Sequence, residues 1–494
     1  MSHYLLSKTS YIKGLQCSKA LFLYRYYPQL RDPFSPSKKA VFSRGHEVGF
    51  LARDLFPGGK DATEGRSPKS KETVGRTTEL MKAGESVIYE AAFVHNEVLV
   101  LVDILVRDGE KWKAYEVKSS LRLSRAYYDD AALQYYVLSG AGLQLSGFFL
   151  VHLSSDYVRN GEIALPELFT VVPVLDSVKK KFAHVAGSVL AQKQLLSSPQ
   201  VPEVRIGGHC FSPYECDFRG QCWKNVPKGN VFELAGINRA EQERLFHAGY
   251  VFPEMIPAEE NIPALVKLHS LARRSEKTIA DREKLNEFLR DCTDEMLFLD
   301  IENFQPAVPK FEGTKPFQAL PFAYSIHRKR GNETRHSLFI AEHGKDPRRE
   351  FLGSFLRDTE GDAVIFAYDA SAEKTTLNLL KKQFPEFSQA IDQRLARIRD
   401  LMRPFSEGWY YAAAMNCSVS LKSVLPALVP GMNYENLRIM NGGHAMSVYE
   451  KLGDEDLFGK AESISALEEY CAMDTMGMLK IFEVLEKEAQ AQAE

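Results

Sequence analysis

"LVLVDILVRDGEKWKAYEVKSS", residues 99–120, decides how the N-terminal half is read. Two runs rich in Val, Ile, Leu and aromatic residues flank Arg107-Asp108-Gly109-Glu110. An Asp-Gly between such runs predicts a tight hairpin. Side chains alternate faces along a strand, so Glu116 and Lys118, two positions apart, point the same way. The turn brings Asp103, in the first strand, back across from them. Two carboxylates at the end of a sheet can hold a hard cation such as Mg2+ or Mn2+. Such an ion lowers the pKa of a bound water, and a nearby lysine can orient that water and stabilise developing phosphate charge. A lone Glu-x-Lys is more simply a cross-strand ion pair on a surface hairpin. The specificity lies in the Asp103 spacing and the hairpin between.

The flanks extend the pattern. "SVIYEAAF" (86–93) predicts a preceding strand, "AYYDDAALQYYVLSG" (126–140) a helix ending at Gly140, and "GFFLVHLSS" (147–155) a further strand. Residues 1–45 read as a helix and then a loop with a turn near "DPFSPS". They carry eight basic residues against Asp32 alone, interleaved with aromatics in "LFLYRYYPQLRDPF". That is the footprint of nucleic-acid binding, or of an amphipathic helix with buried aromatics. The C-terminal residues 450–494 are acidic and make a poor phosphate-binding surface.

Length and composition bound the rest. A chain of 494 residues should hold about three domains, and 45% hydrophobic with 26% charged residues is a globular composition. No apolar run approaches the roughly 18 residues that would span a membrane. The start lacks a signal-peptide core, so the expectation is a cytoplasmic protein with reduced thiols and no membrane partner. Three of the seven cysteines, Cys210, Cys216 and Cys222, stand six apart in "CFSPYECDFRGQC", one thiolate short of a tetrahedral metal site.

From 228 to 290 the pattern is helical and strandless, a connector in which Asn238 and Gly249 cap and stop the first helix. A second α/β unit opens at "EMLFLDIENF" (295–304), an apolar strand with Asp300 and Glu302 on one face. Two carboxylates so placed are costly unless cations neutralise them. "AVIFAYDASAEK" (363–374) is a strand running into a helix, with Asp369 and Glu373 near the sheet's carboxyl edge; Asp400 is a further acid. "EEYCAMDT" (468–475) sets Tyr470 and Asp474 on one helical face, four residues apart.

The Asp103, Glu116 and Lys118 arrangement resembles the PD-(D/E)XK nucleases, particularly their RecB-like branch. In that branch an upstream histidine, here His46 of "SRGHEVG", joins the metal site, and a helix glutamine, here Gln134, follows it. Leu138 stands where that branch usually has tyrosine. Some RecB-like nucleases staple the domain with a [4Fe-4S] cluster, one cysteine before the core and three after; Cys17 with Cys210, Cys216 and Cys222 matches that order. A zinc site using His209, or unliganded cysteines, are the alternatives. The later acids resemble the DnaQ-like DEDD 3′–5′ exonucleases. That likeness implies Asp300, Glu302, Glu373 and Asp474 as metal ligands and Tyr470 as the residue orienting an attacking water. Glu373 replaces the usual aspartate and Asp369 the usual asparagine, so Asp369 or Asp400 can be the ligand instead.

The full chain resembles a bacterial family joining both modules. The likeness implies a restriction-endonuclease-like domain over 1–227, a helical connector over 228–290 and an RNase H-like domain over 291–494. The implied function is a Mg2+- or Mn2+-dependent nuclease with two active sites, acting on single-stranded DNA or DNA ends. An RNA exonuclease, or a nucleic-acid-binding scaffold with silent sites, is the alternative. Oligomeric state is left open.

Overall fold

In the computed structural model, which describes residues 4–290, 292, 294–454 and 456–491, the hairpin closes between Asp108 and Lys111 with Gly109 at φ +62°. That backbone conformation costs glycine little and a side-chain-bearing residue more. The chain divides into two mixed α/β units: Met1–Asn225 with Pro306–Gln318, and Val226–Gln305 with Ala319–Glu494.

The first unit holds a seven-stranded sheet: β1 (Leu6–Ser7), β2 (Lys60–Asp61), β3 (Val87–His95), β4 (Val98–Asp108), β5 (Lys111–Lys118), β6 (Leu145–Leu153) and β7 (Phe169–Pro173). Its order is β2-β3-β4-β5-β6-β7, with β1 paired to β4. β3, β4 and β5 form an antiparallel meander, and β6 returns parallel to β5. The helices used below are α1 (Lys8–Gln16), α2 (Ser18–Tyr26), α3 (Pro36–Ala52), α4 (Lys71–Lys82), α5 (Arg125–Gly140) and α6 (Phe182–Ser197). α5 buries Ala131, Leu133, Val137 and Leu138 against the meander, while Phe148 and Leu150 fill the core from β6. Leu138 is thus a fully buried core residue. The N-terminal reading missed two elements, the strand Leu6–Ser7 and the helix α3 after the Ser35 cap.

One edge of β4 is shared. β5 pairs with it from Asp108 back to Ile104, and β1 pairs with it at Val98 and Leu99. Between them the strands fork. Asp103 lies at the fork, and its Oδ2 accepts the Val117 backbone N–H (2.7 Å).

The second unit is built on a sheet ordered β11-β10-β9-β12-β13, where β9 is Glu295–Phe304, β10 Leu320–Arg330, β11 Glu333–Ile340, β12 Val364–Ala367 and β13 Ile398–Asp400. β10 runs antiparallel to β9 and β11; β12 runs parallel to β9, and β13 parallel to β12. β9 is central, as its apolar character predicts, with Leu297 and Leu299 in a core completed by Phe351, Phe355 and Leu377. Five helices matter below: α7 (Arg239–His247), α8 (Ser371–Gln383), α9 (Leu421–Leu428), α10 (Gly442–Lys451) and α11 (Leu457–Gln490). The stretch read as a strandless connector falls within this unit and contributes a short strand, β8 (Ile279–Ala280), paired with β14 (Tyr410–Tyr411). Two residues are too few for alternation to register. Asn238 caps α7 by accepting the Glu241 N–H (3.0 Å), and Gly249 follows its end at φ +95°.

Candidate functional site

The fork in the first sheet gathers the predicted residues of the N-terminal motif. Glu116 and Lys118 share a face of β5, and Lys118 Nζ donates to Glu116 Oε1 (2.6 Å). From α5, Gln134 Nε2 donates to Glu116 Oε2 (2.7 Å), and Asp130 Oδ2 takes Lys118 Nζ at 2.5 Å. Lys8, the first residue of α1, donates to the same Glu116 Oε1 (2.7 Å). Burial alone would push Glu116 up, but Lys118 and Lys8 outweigh it and hold its carboxyl well below the usual range. Asp103 behaves oppositely: desolvation, then the nearby Glu116 charge, push it up to about 8. His46, on α3, lines the same cleft of about 940 Å³ as Asp103, Glu116 and Lys118.

Three members of this site escaped the sequence reading. Lys8 and Asp130 carry no motif of their own. Glu90 lies between the Tyr89–Ile104 and Ala91–Val102 pairs, opposite Asp103, at φ +52°. A left-handed glutamate facing a like charge is strained, and such strain gathers at functional sites. Arg53 donates to Glu90 Oε1 (3.2 Å).

In the second unit the ladder from β12 to β9 ends at Phe298, so Asp300 and Glu302 project beyond the carboxyl end of β12. α11 brings Asp474 to meet them. The donor atoms of Asp300, Glu302 and Asp474 all lie within 4.8 Å of one another, the one such group of three or more His, Cys, Asp or Glu among the described residues. Glu373, buried on α8, faces Asp300 and Glu302 electrostatically without joining that set. Asp369 and Asp400 stand behind it. Asp400 Oδ1 accepts the Asp369 and Met402 N–H groups (3.0 and 2.8 Å), which is a turn-stabilising role. Tyr470, one helical turn before Asp474, is buried within electrostatic reach of Asp474 and Glu302, while Tyr434 Oη donates to Asp474 Oδ1 (2.5 Å). A Cβ on Gly442, at the start of α10, would meet Glu302 Oε2 at 3.3 Å, so the helix packs its backbone against that carboxylate.

The electrostatics of this cluster are one-sided. Desolvation and then Asp474 push Glu302 up to about 7; desolvation, Asp369 and Asp400 push Glu373 up to about 8. Asp300 is raised well above its usual value by the same burial and by Asp474 and Glu302. Lys422 on α9 is a cation that opposes these shifts at Asp300 and Glu302, and its own pKa is lowered by burial. Its ammonium donates to the Met440 carbonyl and lies over the Tyr434 and Tyr470 rings (4.9 and 5.1 Å). Asp300 Oδ2 and Glu373 Oε2 are buried without a hydrogen-bond partner. Orphaned oxygens among repelling carboxylates fit a hard divalent cation.

Cys17, Cys210, Cys216 and Cys222 line one small cavity of about 20 Å³, free of disulfides. Burial pushes Cys17, Cys216 and Cys222 up, Cys216 to about 11, and each feels other thiols of the set. Cys17 is the N-cap residue of α2 without a side-chain cap hydrogen bond, and burial outweighs the neighbouring Ala20 and Lys19 backbone in setting its thiol. No three of these sulfurs all lie within 4.8 Å of one another. Asp217, beside Cys216, ties down three cations of the basic N-terminal segment: Lys13 (2.5 Å), Arg31 (3.2 Å) and Lys38 (2.7 Å). Lys8 on Glu116 adds a fourth basic residue of that segment held in an ion pair.

A family model described as Domain of unknown function (DUF2779) matches residues 297–420. The match takes in Asp300, Glu302, Asp369, Glu373 and Asp400 and ends before Tyr470 and Asp474. No curated protein matches the chain. Among the described residues, no helix is long and apolar enough to cross a membrane.

Proposed function

We propose that the chain is a divalent-cation-dependent nuclease with two separate sites, hydrolysing phosphodiester bonds in single-stranded DNA or at DNA ends. The observation that carries the reading is the approach of Asp300, Glu302 and Asp474 to within 4.8 Å with orphaned carboxylate oxygens around them. Asp300, Glu302, Asp474 and Glu373 would hold Mg2+ or Mn2+ there; Asp103, Glu116 and His46 would do so in the first unit. The bound ions supply Lewis acidity and a water of lowered pKa. Tyr470 would orient the attacking water, and Lys118 would stabilise charge developing on phosphate at the first site.

The finer fold reading accords with this. α4, the β3-β4-β5 meander, α5 and β6 follow the order expected of a restriction-endonuclease-like domain. Central β9 between antiparallel β10 and parallel β12 is the arrangement expected of an RNase H-like sheet. Phe42 and Phe50 on α3 face the first cleft, 45% and 68% exposed, and offer stacking platforms to unpaired bases.

The four cysteines would hold a [4Fe-4S] cluster, whose normal ligand set is four thiolates. Four thiolates on one zinc ion, each about 2.3 Å from it, would stand roughly 3.8 Å apart. No three of the sulfurs lie that close together, which favours the cluster over zinc. Bound, it would cross-link the two ends of the first unit's chain.

The test is incubation of end-labelled single strands with the full chain and Mg2+ or Mn2+. Shortened products that disappear with EDTA are expected; intact strands under every metal condition would contradict the proposal. A matched RNA strand in competition assigns the polymer.

A further inference from the structure

Lys8 is a second cation in the first site, and no motif supplies it. It is carried there by backbone pairing: β1 pairs Leu6 and Ser7 with Val98 and Leu99 on the β4 edge that β5 vacates, and Lys8 follows at once. The Ser7 side chain caps α1 by accepting the Ser10 N–H (3.3 Å), which fixes where the helix begins. Glu116, 1% exposed, spends Oε1 on two ammonium groups and Oε2 on Gln134. That takes three of a carboxylate's roughly four acceptor sites. A divalent ion on Glu116 would sit beside two ammonium groups in a poorly solvated fork, where like charges repel strongly. One lysine must withdraw.

The two lysines differ in what holds them. Lys118 is bound to Asp130 at 2.5 Å with its side chain 15% exposed. Lys8 reaches Asp130 only at 3.6 Å and is 29% exposed. Lys8 also borders a second cavity of about 170 Å³, shared with Ser7, Glu90 and Asp103. Glu90 and Lys8 already influence each other electrostatically.

We propose that Lys8 is the resident counter-ion of Glu116 in the metal-free protein, displaced toward Glu90 when a divalent cation occupies the first site. The proposal rests on the metal-dependent reading of that site. Lys8 holds the Glu116 carboxylate in place before the ion arrives, and its departure sets the ion's affinity.

The experiment is Mn2+ titration of the full chain, followed by the paramagnetic resonance of free Mn2+, in an Asp300→Asn/Asp474→Asn background that silences the second site. Lys8→Met should tighten Mn2+ binding at least about tenfold, the scale of one charged hydrogen bond removed from competition. Lys8→Gln should tighten it in the same direction and serves if Lys8→Met does not fold. Glu90→Gln removes the acceptor and should weaken binding severalfold. Lys8→Met/Glu90→Gln should bind as tightly as Lys8→Met alone. Unchanged or weaker binding by both Lys8 variants overturns the proposal while leaving the metal site standing. A double variant as weak as Glu90→Gln overturns it too and makes Glu90 a ligand. If Asp103→Asn binds Mn2+ as its parent does, the metal reading of the first site fails, and this proposal with it.

Discussion

The two acidic sites solve the same electrostatic problem in opposite ways. In the first, Lys8 and Lys118 surround Glu116, and the protein's own ammonium groups keep that carboxylate ionised. In the second, Asp300, Glu302, Glu373 and Asp474 face Lys422, itself partly engaged by Met440 and two tyrosine rings. Burial and mutual repulsion there push Glu302 to about 7 and Glu373 to about 8. The lesson concerns order of events. The first site is charge-balanced before a metal arrives and must lose a lysine to bind one. The second holds protons until a cation replaces them, so binding there releases protons and strengthens with pH.

The contrast can be broken from the first site's side by Cys17→Ser. α1 runs from Lys8 to Gln16, with Cys17 at its end, so the proposed cluster on the four thiols would anchor the helix that carries Lys8. A cross-link closing so long a loop would stabilise by about 5 kcal/mol. Its loss should remove absorbance near 400 nm from anaerobically purified protein and lower the first unit's melting by about 10 °C. The second unit's transition should not move. Equal loss in both units would refute the division.

Solution pH probes the second site's side. Its native carboxyls hold protons that the unfolded chain releases at about pH 4. With fewer protons bound in the unfolded state, stability of the metal-free second unit falls as pH rises from about 4 to 8. Its melting temperature should drop by several degrees between pH 5 and pH 8, and Mg2+ should restore more of it at pH 8 than at pH 5. Calorimetry with EDTA and with Mg2+ checks both signs. A flat or rising profile without metal would mean the acids are neutralised by something else.

The smallest effect sharpens the contrast by leaving both sites alone. Asn238→Ala removes the α7 cap and should cost the second unit about 1 kcal/mol in denaturant titration, with neither activity changed.

Much of the architecture was legible because it is local. The Asp-Gly turn, the alternation along β5 and the 3.6-residue period of α11 place Glu116 beside Lys118 and Tyr470 one turn from Asp474. The apolar run of β9 marks it as central. What escaped depends on distant pairing. β1 is two residues long and has no period of its own, so Lys8 looked like one more basic residue in a tail. Glu90 and Asp130 carry no motif of their own; only the pairing of β3 with β4 and the packing of α5 bring them to the fork. Asp217 sits unremarked between cysteines, yet it absorbs three of the cations that suggested an open nucleic-acid surface. Charge counts along a sequence cannot see such pairing.

The most direct test of the two-site account is the degradation of end-labelled single-stranded DNA, with Mg2+ or Mn2+, by wild type, Asp103→Asn, Asp300→Asn and the double variant. Each single substitution should remove one activity by about 10²–10³-fold, the scale of losing a group that stabilises transition-state charge. The surviving activity should differ in product pattern between the two, and the double variant should leave the strand intact. A double variant that degrades DNA as fast as wild type would contradict the account.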